Sequence, residues 1–162
     1  MKKENIVIIG MPGSGKSTVS RILGRRLGLP VKDVDVIVRE KAGMEITDIF
    51  AKYGETHFRD LESEVVSELS EGVGQIISTG GGTILRPENV AALKKNGRLF
   101  LLDRPLEFLR PAADRPLGDT WEKVKRLYTE RDPIYRAAAD EVIDVSGSAE
   151  RAAEDIISRI KG

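Results

Sequence analysis

Two spacings of apolar residues alternate along this chain. Short runs are apolar at nearly every position, the first being Ile6-Val7-Ile8-Ile9, and between them lie longer stretches with apolar residues every three or four positions. An unbroken run suits a strand covered on both faces of a parallel sheet, whereas the longer recurrence marks helices with one buried stripe. This places strands at about residues 5–10, 31–34, 75–79, 98–102 and 142–145. Helices are predicted at about 19–27, 36–42, 45–52, 56–70, 87–95, 106–110, 121–131 and 149–160. In the first of these Val19, Ile22, Leu23 and Leu27 face inward, Arg21, Arg25 and Arg26 face outward, and Gly28 and Pro30 end it. Phe58, Leu61, Val65, Val66 and Leu69 make the inner stripe of 56–70. Strands alternating with helices predict an α/β fold of three layers, α/β/α, around a parallel sheet. No internal repeat, low-complexity tract or linker interrupts residues 1–162, which are read as a single domain.

Composition changes this picture little but excludes several classes. Lys plus Arg and Asp plus Glu number 26 each, so the formal charge is zero and no nucleic-acid partner is expected. With no cysteine there is no disulfide, thiolate metal site or thiol nucleophile. The apolar run near the N-terminus is too short for a signal peptide or a membrane span, so a cytoplasmic protein is expected, without a membrane partner.

Candidate chemistry starts at Gly10-Met11-Pro12-Gly13-Ser14-Gly15-Lys16-Ser17-Thr18, between the first strand and the first helix. The spacing G-x-x-x-x-G-K-[ST] in a strand-loop-helix context is that of a phosphate-binding loop for a nucleoside triphosphate. Backbone N–H groups of Gly13, Ser14, Gly15 and the residues after them can turn toward a polyphosphate, aided by the positive end of the helix dipole. Lys16 can reach the β- and γ-phosphates, Ser17 is placed to ligate Mg²⁺, and Thr18 completes the motif. In an open parallel sheet, ligands sit beyond the carboxyl ends of the strands. The second strand ends in Asp33-Val34-Asp35 and the third in Gly80-Gly81-Gly82, so both should meet the loop at one rim.

If strand geometry persists, Asp33 and Asp35 point to the same side, one toward Mg²⁺ and the other toward the acceptor hydroxyl. Their plain alternative is a solvated turn in which Asp35 caps a helix. Arg59 and Glu62, three apart on one helix, read either as a surface ion pair or as a guanidinium held for a substrate carboxylate; spacing alone favours the surface pair. Three successive glycines after a buried strand suggest backbone lying close to a ligand. Arg110 and Arg115 flank a polar, punctuated stretch at 110–119, read as a mobile lid over the nucleotide. His57 is read as a surface or packing residue.

The ordered set formed by the phosphate loop, Asp33-x-Asp35, Gly54-Glu55, Phe58-Arg59, Glu62 and Thr79-Gly80-Gly81-Gly82 resembles shikimate kinase. Arg115-Pro116-Leu117 and Arg131-x-Pro133-x-Tyr135 continue the likeness over essentially the whole chain. The resemblance implies a nucleoside-monophosphate-kinase-like P-loop fold with five parallel strands in order 2-3-1-4-5. It implies ATP and shikimate as substrates, with shikimate 3-phosphate and ADP as products, on the route to chorismate and the aromatic amino acids. By position, Asp35 would act on the 3-hydroxyl, and Arg59 and Arg131 would bind the shikimate carboxylate. Gly80, Gly81 and Gly82 would lie against shikimate, and Glu62 would hold Arg59. Ser17 and Asp33 would serve Mg²⁺, Lys16 the transferred phosphoryl group, Arg115 the γ-phosphoryl charge and Arg110 the adenine. Helices over 36–70 would form the acceptor side, and the chain is read as a monomer.

The chain departs from the family pattern at Gly118, where a second apolar residue is common, at Val34 between the two acids, and at Ser146-Gly147-Ser148-Ala149, where many members place a proline. Among other kinases, a gluconate or nucleotide kinase is the alternative, and an acceptor with no carboxylate would leave Arg59 and Arg131 without their purpose. A GTPase would carry an N-K-x-D motif, which is missing, and a catalytically silent nucleotide-binding module would be expected to lack Lys16, Asp35 or the lid arginine.

Overall fold

The computed structural model describes residues 4–111 and 117–161. The elements run β1 (Asn5–Ile9), α1 (Lys16–Leu27), β2 (Val31–Asp33), α2 (Val34–Ala42), α3 (Ile46–Tyr53), α4 (Glu55–Ser70) and β3 (Ile76–Ser78). They continue with α5 (Pro87–Lys95), β4 (Gly97–Asp103), α6 (Trp121–Ala138), β5 (Glu141–Asp144) and α7 (Ala149–Lys161). Short 3₁₀ turns lie at Thr83–Leu85 and Leu106–Phe108. The five strands form one parallel sheet in the order β2-β3-β1-β4-β5.

Alternation along β1 divides the core into two layers. Val7 and Ile9 face helices α2 to α6, packing with Val38, Ile49, Phe58, Val65 and Leu127. Ile6 and Ile8 face α1 and α7, packing with Val19, Leu23, Ala153 and Ile156. Val7, Ile8 and Ile9 are fully buried, which accounts for an apolar run without a polar face. Each such side chain contributes about 1.5–3 kcal/mol of burial free energy.

Register fixes where the functional segments emerge. Asp33 of β2 stands opposite Ser78 of β3, and Ser78 opposite Ile8 of β1. One row across the sheet therefore precedes the phosphate loop, the Asp33–Asp35 turn and the triple glycine, which leave from the same edge.

Two predicted elements differ in form. Residues 106–110 make only the 3₁₀ turn Leu106–Phe108. Helix α6 runs through Pro133 to Ala138, seven residues past the predicted end at Arg131. The proline removes the N–H that would bond the Thr129 carbonyl, but both residues are on the exposed side, where water can satisfy that oxygen. Beyond the proline, buried Tyr135 and Ala138 anchor the last turns, and Arg136 bridges Asp132 at 2.9 Å and Asp103 of β4 at 3.0 Å.

Candidate active site

Helix α1 starts three residues earlier than its apolar stripe indicates, at Lys16. Its N-cap is Gly15, held at φ 100°, which supplies no side-chain cap, and the first turn carries no acid. Elsewhere in the fold Asp33 and Thr120 cap α2 and α6 with their side chains. The N–H groups opening α1 are thus left for an external acceptor, and the helix dipole favours an anionic one. Lys16 folds back on the loop, its Nζ donating to the carbonyls of Gly10 (2.8 Å) and Met11 (2.9 Å). Ser14 turns inward: its N–H donates to the Met11 carbonyl at 3.1 Å, and its hydroxyl is buried.

The second strand stops at Asp33, so the two acids are not related by strand alternation. Asp33, not Asp35, caps the helix: its Oδ1 accepts from the Val36 N–H at 3.1 Å, while its Oδ2 accepts from the Ser17 hydroxyl at 3.2 Å. This brings the two residues expected to serve Mg²⁺ into contact. Asp35 sits in the first turn of α2 with its carboxylate toward the triple glycine. Desolvation pushes its pKa from the ordinary 3.8 up to about 6. The nearby Glu62 and Asp33 charges add to that shift, and Lys16 and Arg39 oppose it.

Arg59 and Glu62 are not a surface pair. They are 8% and 1% exposed, on the inner face of α4, with Arg59 NH1 donating to Glu62 Oε1 at 3.0 Å. The other Glu62 oxygen accepts from the Thr83 hydroxyl at 2.8 Å, and that hydroxyl accepts from the Gly80 N–H at 2.9 Å. Both carboxylate oxygens are therefore satisfied, which allows a buried charge to persist. The Arg59 guanidinium also lies 5.1 Å over the Phe58 ring. Arg131 of α6, 5% exposed, presents a second guanidinium to the same space.

The triple glycine is where these groups meet. A Cβ on Gly80 would stand 2.6 Å from Asp35 Oδ1, one on Gly81 2.8 Å from Pro12 Cγ, and one on Gly82 inside the Arg59 guanidinium. Close approach, not turn flexibility, accounts for all three. The phosphate loop, Asp33, Asp35, Arg59, Glu62, Gly80–Gly82 and Arg131 surround one cavity of about 360 Å³, with Ile46, Phe50, Leu117 and Leu127 as apolar wall.

Gly13, Gly15, Lys16, Ser17 and Thr18 all line that cavity, and Ser14 does not. Arg110 is outside its wall, with NH1 donating to the carbonyls of Glu107 (2.6 Å) and Leu109 (2.8 Å). Arg115 falls outside the described residues, as does the middle of the predicted lid. His57 is exposed and stacks on Tyr53, with ring centroids 4.6 Å apart.

A sequence profile of the shikimate kinase family matches residues 12–161 of the chain. The chain belongs to that family. A shikimate kinase of Thermodesulfovibrio yellowstonii is 40% identical over 95% of this chain and 93% of its own length. One from Paracidovorax citrulli is 43% identical over 86% and 81%. Among solved structures, the shikimate kinase of Acinetobacter baumannii in complex with shikimate superposes with TM-score 0.92 at 34% identity, covering 98% of this chain and 93% of that one. The Aquifex aeolicus shikimate kinase gives 0.86 at 37% identity, covering 98% and 96%.

Within this shikimate kinase scaffold, sequence reasoning assigned no role to Thr83 or Tyr135. Thr83 is fully buried, bridging Glu62 to Gly80, and Asn89 Nδ2 donates to its carbonyl at 2.9 Å. Tyr135 is 1% exposed and donates its hydroxyl to the Gly81 carbonyl. For Thr83 the available signal was its position directly after the triple glycine; for Tyr135 it was the Arg131-x-Pro133-x-Tyr135 run.

Proposed function

We propose that the chain transfers the γ-phosphoryl group of ATP to the 3-hydroxyl of shikimate, giving shikimate 3-phosphate and ADP in aromatic amino-acid biosynthesis. One observation carries the reading: a single cavity joins an uncapped helix N-terminus to two buried guanidinium groups, with Asp35 between them. The first pole suits a polyphosphate, the second a carboxylate, and the acid a hydroxyl proton.

Gly13 through Thr18 cradle the triphosphate, and Lys16 leaves the loop carbonyls for the transferred phosphoryl oxygens. Arg59 and Arg131 clamp the shikimate carboxylate, and Gly80, Gly81 and Gly82 let it approach the backbone. Asp35 accepts the proton as the hydroxyl oxygen bonds to phosphorus and the bond to ADP breaks. A pKa of about 6 keeps Asp35 ionised at neutral pH with useful basicity.

Ser17 and Asp33 offer hard oxygen donors suited to Mg²⁺. Among the described residues no group of three or more acids or histidines could hold a metal ion. Such a two-residue site suits an ion that retains water and shares phosphate oxygens. When bound, Mg²⁺ neutralises charge on the β- and γ-phosphates. Arg110 is assigned to the adenine side, Arg115 to the γ-phosphoryl charge, and 110–119 to the lid. Helices over 36–70 form the acceptor side of the single domain 1–162, which acts as a cytoplasmic monomer. Among the described residues no helix is long and apolar enough to cross a membrane.

An ADP-release assay with shikimate, gluconate and nucleoside monophosphates tests the assignment. Shikimate should give turnover at least about a hundredfold above the others, since its ring holds a hydroxyl at a fixed distance from the carboxylate clamped by the guanidinium pair, whereas gluconate's open chain must be ordered to bring a hydroxyl to Asp35. Equal or better turnover of another acceptor would overturn it.

A further inference from the structure

The backbone of Gly80–Gly82 is almost fully accounted for inside the protein. The Gly80 N–H donates to Thr83 Oγ1, and the Gly80 and Gly82 carbonyls accept from the N–H groups of Thr83 (3.3 Å) and Leu85 (3.1 Å). The Gly81 carbonyl accepts from the Tyr135 hydroxyl. The N–H groups of Gly81 and Gly82 have no partner among the described residues, although Gly82 is buried. A buried donor left without a partner is costly unless a ligand supplies the acceptor.

All peptide bonds among the described residues are trans, so the Gly82 N–H points opposite to the Gly81 carbonyl in the same plane. Fixing that carbonyl on Tyr135 fixes the direction of the Gly82 donor. The Arg131 guanidinium stands beside the same peptide: its Nη1 lies 3.3 Å from where a Gly81 Cβ would stand, and its charge acts on the Tyr135 phenol. Tyr135 thus ties the triple-glycine backbone to α6, the helix that also carries Arg131 one turn earlier. Its ring is anchored by burial, and desolvation raises its pKa to about 12, so the phenol remains a donor throughout the neutral range.

We propose that Tyr135 is a positioning residue of the acceptor site, its hydroxyl setting the Gly81–Gly82 peptide and the Arg131 guanidinium in the one arrangement that receives a carboxylate-bearing acceptor. The proposal rests on the shikimate reading of that cavity. It separates the acceptor from the nucleotide, because the hydrogen bond that Tyr135 makes goes to the Gly81 carbonyl of the triple glycine.

Tyr135→Phe keeps the ring and removes only the hydroxyl. The shikimate KM should rise about 5- to 20-fold, the size expected for a hydrogen bond to a charged or buried group, with kcat within about threefold. The KM for ATP should stay within about twofold of the parent value. A double-mutant cycle with Arg131→Ala should be non-additive, Tyr135→Phe adding less than about twofold once the guanidinium is gone. A shikimate KM unchanged in Tyr135→Phe, additive effects, or an ATP KM rising in step would overturn the proposal. A measurement on the unaltered protein stands independently of whether the variant folds: amide exchange at Gly81 and Gly82 should slow on saturation with shikimate. Unchanged exchange at both positions would also overturn it. Absence of shikimate turnover by the parent protein would instead refute the assignment of the acceptor.

Discussion

Asp35→Asn should make the protein more stable and nearly inactive. The carboxylate sits between Glu62 and Asp33, partly desolvated, and its pKa rises from 3.8 to about 6. A raised acid pKa means that the folded state holds the proton more tightly than the unfolded chain. The corresponding stability is fully present below about pH 4 and is lost as pH rises through about 6. At about 1.4 kcal/mol per unit, two units amount to about 3 kcal/mol of destabilisation from ionised Asp35 at neutral pH. Asp35 keeps one face open to the cavity and titrates beside a second acid, which reduces the expected effect to about 1–3 kcal/mol.

Asparagine has the same shape and cannot ionise. Thermal or urea melts of the ligand-free protein and the variant should coincide near pH 4 and separate as pH rises. By about pH 7.5 the variant should lead by about 1–3 kcal/mol, a few degrees in Tm for a chain of this size. Titrating groups distant from Asp35 are common to both proteins and cancel in the difference. Phosphoryl transfer by the variant should collapse while ATP binding stays nearly intact. A stability difference that is flat across this range, or of opposite sign, would show that ionised Asp35 is not strained by its surroundings. Near-normal turnover would remove it as an essential group.

Arg59→Ala should weaken shikimate binding by about 2–5 kcal/mol in calorimetry; it also strips Glu62 of its cation, so thermal melts should fall too. An unchanged affinity would place Arg59 outside the site. Gly82→Ala puts a methyl group into the Arg59 guanidinium and should raise the shikimate KM by about tenfold or more with the ATP KM unchanged, as steady-state kinetics would show. Asp33→Ala and Asp33→Asn should both raise the Mg²⁺ concentration needed for half-maximal activity. Only the alanine should also cost about 1 kcal/mol in melts, because asparagine retains the α2 cap.

The fold was legible because its determinants are local. Glycine-rich turns and the switch between strand and helix periodicity marked every element of the sheet, and the parallel rim followed from strands that ran straight into Gly10, Asp33 and Gly80. The site was less legible where long-range geometry overrides local pattern. Spacing favoured a surface pair for Arg59 and Glu62, and the apolar stripe of α4 gave no sign that its buried face also carries two charges. Their burial depends on Thr83, which lies 21 residues beyond Glu62 in sequence. The helix predicted over 121–131 continues through Pro133 to Ala138, and the tertiary anchors Tyr135 and Ala138 explain why α6 does not stop there. The alternative that made Asp35 the cap of α2 assumed a helix start at 36; β2 ends at Asp33, one residue short of the predicted 34, and α2 starts two residues earlier, at Val34.

The charges around the cavity bear on how the two halves of the proposed reaction would depend on one another. Its described wall carries three cations, Lys16, Arg59 and Arg131, and three carboxylates, Asp33, Asp35 and Glu62. Formal neutrality gives a polyanion no net attraction at close range. On the proposed reading the donor half would rely on oriented N–H groups at α1 and on cations brought with the nucleotide. In the proposed acceptor half, Arg59 keeps Nη1 on Glu62 at 3.0 Å, while its Nε and Nη2 reach the half-exposed Glu55 only at 3.4 Å and are the donors a substrate carboxylate would take. Asp35 lies between these halves, its carboxylate against Gly80 and its charge felt by Lys16. In the proposed reaction, an acceptor filling this side would exclude water from around that carboxylate and raise its basicity further as its hydroxyl arrives. The group that destabilises the empty fold is thereby also the one best placed to act when both substrates are bound.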